Sequence, residues 1–483
     1  MAFKQGAAVE VASDHFRAWQ LATEKAKVLD VWARGATSDV WLVGRKEFLP
    51  TLPREASAEM RELLGVSPTP WARLIIGAVS QALLVKSQRS EDMPVTRTFS
   101  EVWKASGMVS RQGAIYRSAL GHNQSFAITL PSTRPFTNKP TARITGAPAT
   151  KMVTFFDADG VDDFPQFAIW GESNGDREDP KMMLRVFDDE AIHYLSCAPV
   201  DGSKMTYLRS EVHNVGVVPV HRFAPHLDLE GQAVGEVEPF IPMLRRLDQD
   251  IYDRLVVQRF NSWKVRWIAG MEKGDTDEMN RAQAMILRMS DMLISNSTDT
   301  KFGTLDGTDL EPYTKSHDAD VRALAAVSQT PPHHLLGQMA NLSAEALAAA
   351  EASLMRKTNE YKLSFAQTWS QALRSCSFIL ANQGEDGYAQ EFLDEALDYE
   401  TEIQWADQES RSLSQMADAL GKMAEMLKIP VEMLWEQIPF MDKEDIERAK
   451  RLMEDADIDV ALIQFLEAST RQNQDQANAR PEG

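Results

Sequence analysis

The chain has 483 residues, 43% of them hydrophobic, with two cysteines, Cys197 and Cys376, and 51 basic against 71 acidic side chains, a net charge of −20. That composition supports packed cores in roughly two to four domains; it excludes a disulfide framework, a cysteine-rich metal site and a nucleic-acid binder working through a broad basic face. The acid excess is local, since residues 381–483 carry 25 acidic and 9 basic side chains, a net −16.

Met1–Gln20 lacks an apolar signal core and Leu74–Val85 is too short and polar to span a bilayer, so a chain made in a reducing cytoplasm, without membrane contact, is expected. Ser13–Arg34 reads as a helix, with Phe16, Trp19, Leu21, Val28, Val31 and Trp32 set among charges. The run Trp41-Leu42-Val43-Gly44 and a Pro50–Pro53 turn follow, then helices over Trp71–Leu84 and Phe99–Ser118. Beyond Gly121 the period falls to two. Ser125–Leu130, Lys151–Phe156, Phe164–Trp170, Met182–Phe187, Ala191–Leu195 and Lys204–Glu211 read as one antiparallel meander, closed by Asn214–Phe223. Asp157, Asp159, Asp162 and Asp163 are turn residues; a calcium loop would need a bidentate Glu at its twelfth position, which is missing.

Pro242 suits the first turn of a helix whose apolar residues, from Leu244 to Trp267, carry it to Ile268. Its charge is a net +3, and Arg254, Arg259, Lys264 and Arg266 are candidates to face phosphates or, preferably, to pair with acids of a neighbouring subunit. A helix over Asp277–Met289 and strands at Met292–Ser295 and Lys301–Leu305, around a Ser297–Thr300 turn, come next. Ser316 can cap a helix with Val321, Leu324, Ala325 and Ser328 on one face, stopped at Thr330 by Pro331 and Pro332. The uncharged connection holding Gln338, Met339, Ala340, Asn341, Leu342 and Ser343 leads into a long helix. Its stripe is Leu347, Leu354, Tyr361, Phe365, Trp369, Leu373, Cys376 and Leu380. Gly384 and Gly387 then separate off an acidic, helical segment that opens a further helix at Lys443–Arg448, and the tail from Arg471 has the composition of disorder.

The order Thr330-Pro331-Pro332, Leu335-Leu336-Gly337, Asn341-x-Ser343-x-x-Ala346-Leu347, then Glu351, Leu354, Lys357 and Phe365, preceded by Asn214–Phe223 and the Pro242 helix, resembles the portal proteins of tailed bacteriophages, siphovirus-type head-to-tail connectors. The resemblance runs from Trp41 to Leu380. It implies an α+β portal fold, with β-rich wing, α-helical stem, small α/β clip and α-helical crown, assembled as a ring. It further implies N-terminal helices and wing over 1–240, a first stem helix over 241–269, a clip over 270–312 and a second stem helix over 313–330. A tunnel loop over 331–343, a wall helix over 344–383, a crown over 384–470 and a disordered tail over 471–483 complete the division. In such a ring Gln338–Ser343 would face DNA. The implied partners are eleven further copies, the terminase large subunit, a head-completion or adaptor protein, the major capsid protein, a scaffolding protein and double-stranded DNA passing without sequence preference. The implied place is a capsid vertex of the virion, and no cofactor is implied. Ring closure is expected because the long helices carry more apolar stripe than one thin subunit can cover.

The chemistry of enzymes is missing from the sequence. Gly421-Lys422 lacks the earlier glycine and the hydroxyl residue of a phosphate-binding loop, and neither H-E-x-x-H nor G-x-S-x-G occurs. His333 and His334 are adjacent and cannot share a helical face as i,i+4 ligands do, so no metal is expected there. Cys376 lies on an apolar stripe as a core residue. The alternatives are a metal-dependent nucleic-acid-processing enzyme with carboxylates on the sheet, and a minor head protein without a channel.

Overall fold

The computed structural model describes residues 3–34, 58–90, 93–134, 138–157, 164–176, 179–262, 266–269, 301–304, 307–337, 344–383, 389–397, 401–406 and 413–435, with 438, 446 and 448–453. The Trp41–Gly44 run, the Pro50–Pro53 turn, Asp159, Asp162 and Asp163, the Asp277–Met289 helix, the Met292–Ser295 strand and the Ser297–Thr300 turn lie outside them. So do the connection Gln338–Ser343, Gly384, Gly387, Lys443 and the tail from Arg471.

In chain order the first elements are α1 (Gln5–Arg34), α2 (Ala58–Val66), α3 (Trp71–Gln81), β1 (Val85–Arg89), α4 (Met93–Ala105) and α5 (Met108–His122). Strands follow: β2 (Ser125–Thr133), β3 (Pro140–Pro148), β4 (Met152–Phe155), β5 (Phe167–Ser173), β6 (Met182–Phe187), β7 (Ala191–Cys197), β8 (Thr206–Val212), β9 (Val220–Phe223), β10 (His226–Leu227) and β11 (Ala233–Val234). Then come α6 (Ile241–Asn261), β12 (Arg266–Ala269), β13 (Lys301–Thr304), α7 (Glu311–Val327), α8 (Pro332–Leu336) and α9 (Ala344–Gln383). The last are α10 (Ala389–Leu397), β14 (Glu402–Trp405), α11 (Leu413–Leu427) and α12 (Val431–Leu434).

The single expected meander is two sheets. β4 to β8 form a five-stranded antiparallel sheet in chain order, while β2 pairs with β3 on one side and β9 on the other. The pleat explains why the larger sheet needs two covers: successive side chains point to opposite faces. Val153, Ile169, Leu184, Val186, Leu195 and Cys197 pack with Ala12, Phe16 and Trp19 of α1. Met152, Ala168, Phe187 and Ile192 pack with Phe126, Ile128, Ala147 and Val220 of the three-stranded sheet. Gly171 sits where α1 crosses β5, and a Cβ there would overlap the Trp19 ring. β3 escapes the strand signal because it begins and ends in proline and holds Gly146, whose missing side chain lets Ile115 of α5 approach.

Helix boundaries also moved. Residues 93–122 hold two helices rather than one, broken at Gly107 in the left-handed region with φ 68°. α6 ends at Asn261, not at Ile268, and residues 266–269 pair with 301–304 as a two-stranded ribbon. α7 begins five residues before Ser316, with Pro312 in its first turn and the Glu311 N–H bonded to Asp309 Oδ1 at 3.0 Å. Ser316 is therefore interior and caps nothing. The face Val321, Leu324, Ala325 and Ser328 is buried as expected.

α9 has 40 residues, about 60 Å of helix. Of its expected stripe, Leu354, Tyr361, Phe365, Trp369, Leu373 and Cys376 are buried inside the chain; Leu380 is half-buried, with Ile379 buried beside it, and the Leu347 side chain lies outside the described residues. Tyr116 of α5 stacks on Phe365, with centroids 5.4 Å apart and planes 7° from parallel, and Phe223 meets Trp369 edge-on at 4.7 Å. Trp369 Nε1 donates to the Tyr116 hydroxyl (2.8 Å), which donates to Gln112 Oε1 (3.1 Å). The expectation that this stripe awaits a neighbouring subunit is thus overturned for the described residues: β2, β3, β9 and α5 of the same chain cover it. Cys376 is a core residue whose thiol burial pushes well above its ordinary range.

Two compact units divide the chain, residues 1–83 with 92–400, and residues 84–91 with 401–483. The boundary falls after Glu400 rather than at Gly384, because α10 folds back on α9, where Arg374 Nε donates to the Ala396 carbonyl at 3.1 Å and Ala396 is fully buried. The second unit draws its strand β1 from the N-terminal half, paired antiparallel with β14, and Ser87 Oγ donates to Gln404 Oε1 at 2.7 Å.

Candidate functional site

The elements flanking the uncharged connection are held by a buried polar junction that sequence reasoning did not foresee. Lys357, on the inner face of α9, donates from Nζ to Glu236 Oε2 at 2.6 Å and to the Ser328 carbonyl at 2.7 Å. Ser328 is the C-cap of α7, where unpaired carbonyls and the negative end of the helix dipole favour a cation. The Tyr361 hydroxyl donates to Glu236 Oε1, and His226 Nε2 lies 3.0 Å from the same hydroxyl. Burial, then the charge of Glu236, push the Tyr361 phenol far above its ordinary range, so it stays a donor.

Glu236 is placed by a tight crossing. Its N–H bonds the Leu120 carbonyl at 2.7 Å, and a Cβ on Gly235 would stand 2.6 Å from that oxygen. Three segments far apart in sequence therefore meet at one ion pair: the approach to α6, the end of α7 and the second quarter of α9. The signal for it was Lys357, a cation on the apolar side of a helix stripe.

α6 and α7 are joined by charge. Arg246 bridges Asp320 at 2.7 Å, and Asp250 lies close enough to Asp320 for the two carboxyls to interact. Desolvation first, then the neighbouring Asp320 carboxyl, raise the Asp250 carboxyl above its usual range. The buried Asp248 accepts the Thr69 N–H at 3.1 Å. Of the acids of α6, Asp248 has this partner and Asp253 accepts from Gln249 at 2.9 Å, while Oδ2 of Asp250 is buried with no hydrogen-bond partner among the described residues. Of the four basic candidates, Arg254 is half-buried, and its Nε has no hydrogen-bond partner among the described residues. Arg259 is exposed near the end of α6, Arg266 belongs to β12, and Lys264 lies outside the described residues. The structure does not bring the four together on one helix.

Beyond α7, Pro331 opens α8, and Gly337, at φ 64°, closes it. Leu335 is buried and anchors this single turn. His333 and His334 both point Nε2 at one oxygen of Glu351 on α9, at 3.2 and 3.3 Å. Adjacency in sequence had argued against a shared ligand set; the third member comes from the next helix. These three are the one group among the described residues with the donor set and spacing to hold a metal ion.

Two antiparallel sheets and a long helix with a braced root define a protein of the α+β class. Residues 55–458 match the family model described as "Phage portal protein, SPP1 Gp6-like". The chain belongs to the phage portal protein family. No curated protein matches it. Among solved structures, a chain of the "Virion of native gene transfer agent (GTA) particle" superposes with a TM-score of 0.43 at 11% identity, covering 81% of this chain and 99% of that one. No helix among the described residues is long and apolar enough to cross a membrane.

Proposed function

We propose that the chain is one of twelve subunits of a portal ring at a capsid vertex, through which double-stranded DNA is packaged and ejected. The observation that carries this is the family match, which spans both long-helix segments and the connection between them. In this assignment α6 and α7 are the stem, the segment between them is the clip that docks the terminase large subunit and later a head-completion protein, and the second unit belongs to the crown. Major capsid protein and scaffolding protein surround the ring.

The channel must contain a polyanion without holding it. About six to ten phosphate contacts change affinity by some three to five orders of magnitude over a modest salt range, so a strongly basic lining would stall movement. A chain with net charge −20 meets that demand, and Gln338, Met339, Ala340, Asn341, Leu342 and Ser343 supply an uncharged loop facing DNA. Arg254, Arg259, Lys264 and Arg266 are left for sparse phosphate contacts or for a neighbour's acids. Val327 and Leu363, 60% and 76% exposed, are apolar residues that α7 and α9 leave for a neighbouring subunit. The role is structural, and ATP hydrolysis belongs to the terminase. Capsids assembled with and without this chain provide the test. Nuclease-protected DNA is expected only with it; equal protection in its absence would overturn the proposal.

A further inference from the structure

We infer that His333, His334 and Glu351 form a site for a zinc-class divalent transition-metal ion, linking α8 to α9. Two imidazole nitrogens converge on one carboxylate oxygen at 3.2 and 3.3 Å, and all three ligand atoms lie within 4.8 Å of one another. Those separations exceed the ~2.9 Å mode of an N–H···O bond. The two His–Glu separations match the ~3.3 Å edge of a tetrahedron whose metal–ligand bonds are about 2.0–2.1 Å. The carboxylate oxygen can accept one N–H from each ring, and with both Nε2 atoms deprotonated the same three atoms are free to coordinate one cation.

The donor set selects the ion. Two imidazoles with one carboxylate suit zinc and its first-row neighbours, whereas calcium and magnesium take oxygen ligands. The fourth position is left for water.

The set is also preorganised, which lowers the cost of binding. Buried Leu335 and the left-handed Gly337 fix the turn that carries both histidines. Lys357, six residues beyond Glu351, ties α9 to the Ser328 carbonyl, three residues before Pro331. The metal would close a second tie between the same two stretches of chain. Neither cysteine competes for it, since both are buried. The inference stands on these three side chains and not on the portal assignment, because its readouts do not require a ring.

The test uses the full chain, stripped with chelator and dialysed against Zn2+, with Co2+ as a spectroscopic substitute. Wild type should retain about one zinc per chain and give the intense visible absorption of tetrahedral Co2+. The double variant His333→Ala with His334→Ala should lose both. Glu351→Gln is nearly isosteric at a partly exposed position; it should keep the far-ultraviolet circular dichroism of wild type while weakening zinc binding at least about tenfold. Failure of wild type to retain zinc would overturn the inference, as would zinc bound equally by the double-histidine variant or with unchanged affinity by Glu351→Gln.

Discussion

His221 shows what single residues reveal about this fold. It lies on β9, 1% exposed, and neither ring nitrogen has a hydrogen-bond partner among the described residues. Burial alone depresses its pKa from 6.5 to about 3. The unfolded chain therefore takes up a proton below pH 6.5 that the folded chain refuses, and stability falls as pH drops from about 6.5 toward about 3, by up to about 1.4 kcal/mol per pH unit. Replacing His221 with Leu should remove that share of the acid slope and leave stability at pH 8 unchanged or higher, which urea unfolding at several pH values measures. Lys357 makes the opposite case. Lys357→Met would strand Glu236 in the interior, at a cost of about 3–5 kcal/mol, and adding Glu236→Gln should recover part of it. Denaturant midpoints of the single and double variants check this.

At the scale of elements, the uncharged connection carries the sharpest expectation. If Gln338–Ser343 meets DNA, Lys at both 338 and 341 should leave assembly intact and slow packaging, most at low salt where phosphate attraction is least screened. Packaging rates across a salt series decide it, and a rate equal to wild type throughout would remove the loop from the channel. Local pattern made some elements legible and left others hidden. The α7 face and the run Tyr361 to Cys376 were readable because a 3.6-residue period needs no knowledge of the partner. The end of α6 was not, because Trp263 and Trp267 continue the helical spacing. What stops the helix is distant: Asn261 exchanges hydrogen bonds with Thr308, at 2.6 and 3.1 Å, and residues 266–269 pair with 301–304. The same limit hid the Glu236–Lys357 pair and the approach of Glu351 to the two histidines, each made by residues that no local window holds together, whereas β3 was hidden by its own prolines and Gly146.

At the scale of the whole molecule, the apolar stripe of α9 is covered by the chain's own sheets and helices, whereas Met426 and Leu427 of α11, 78% and 68% exposed, are not, so the proposed ring would draw on surface contacts rather than on the face of α9. Heterologous contacts close a ring when the rotation between neighbours closes, and the proposed function depends on that closure. The second unit, residues 84–91 with 401–483, carries a net −8 of the chain's −20, and residues 384–400 of the first unit carry a further −7. The central claim is tested most directly by native mass spectrometry of the purified full chain, with electron micrographs of the same sample. A closed ring of about twelve subunits around an open channel is the expected result, and a monodisperse monomer under all assembly conditions, with no such ring at the capsid vertex, would contradict it.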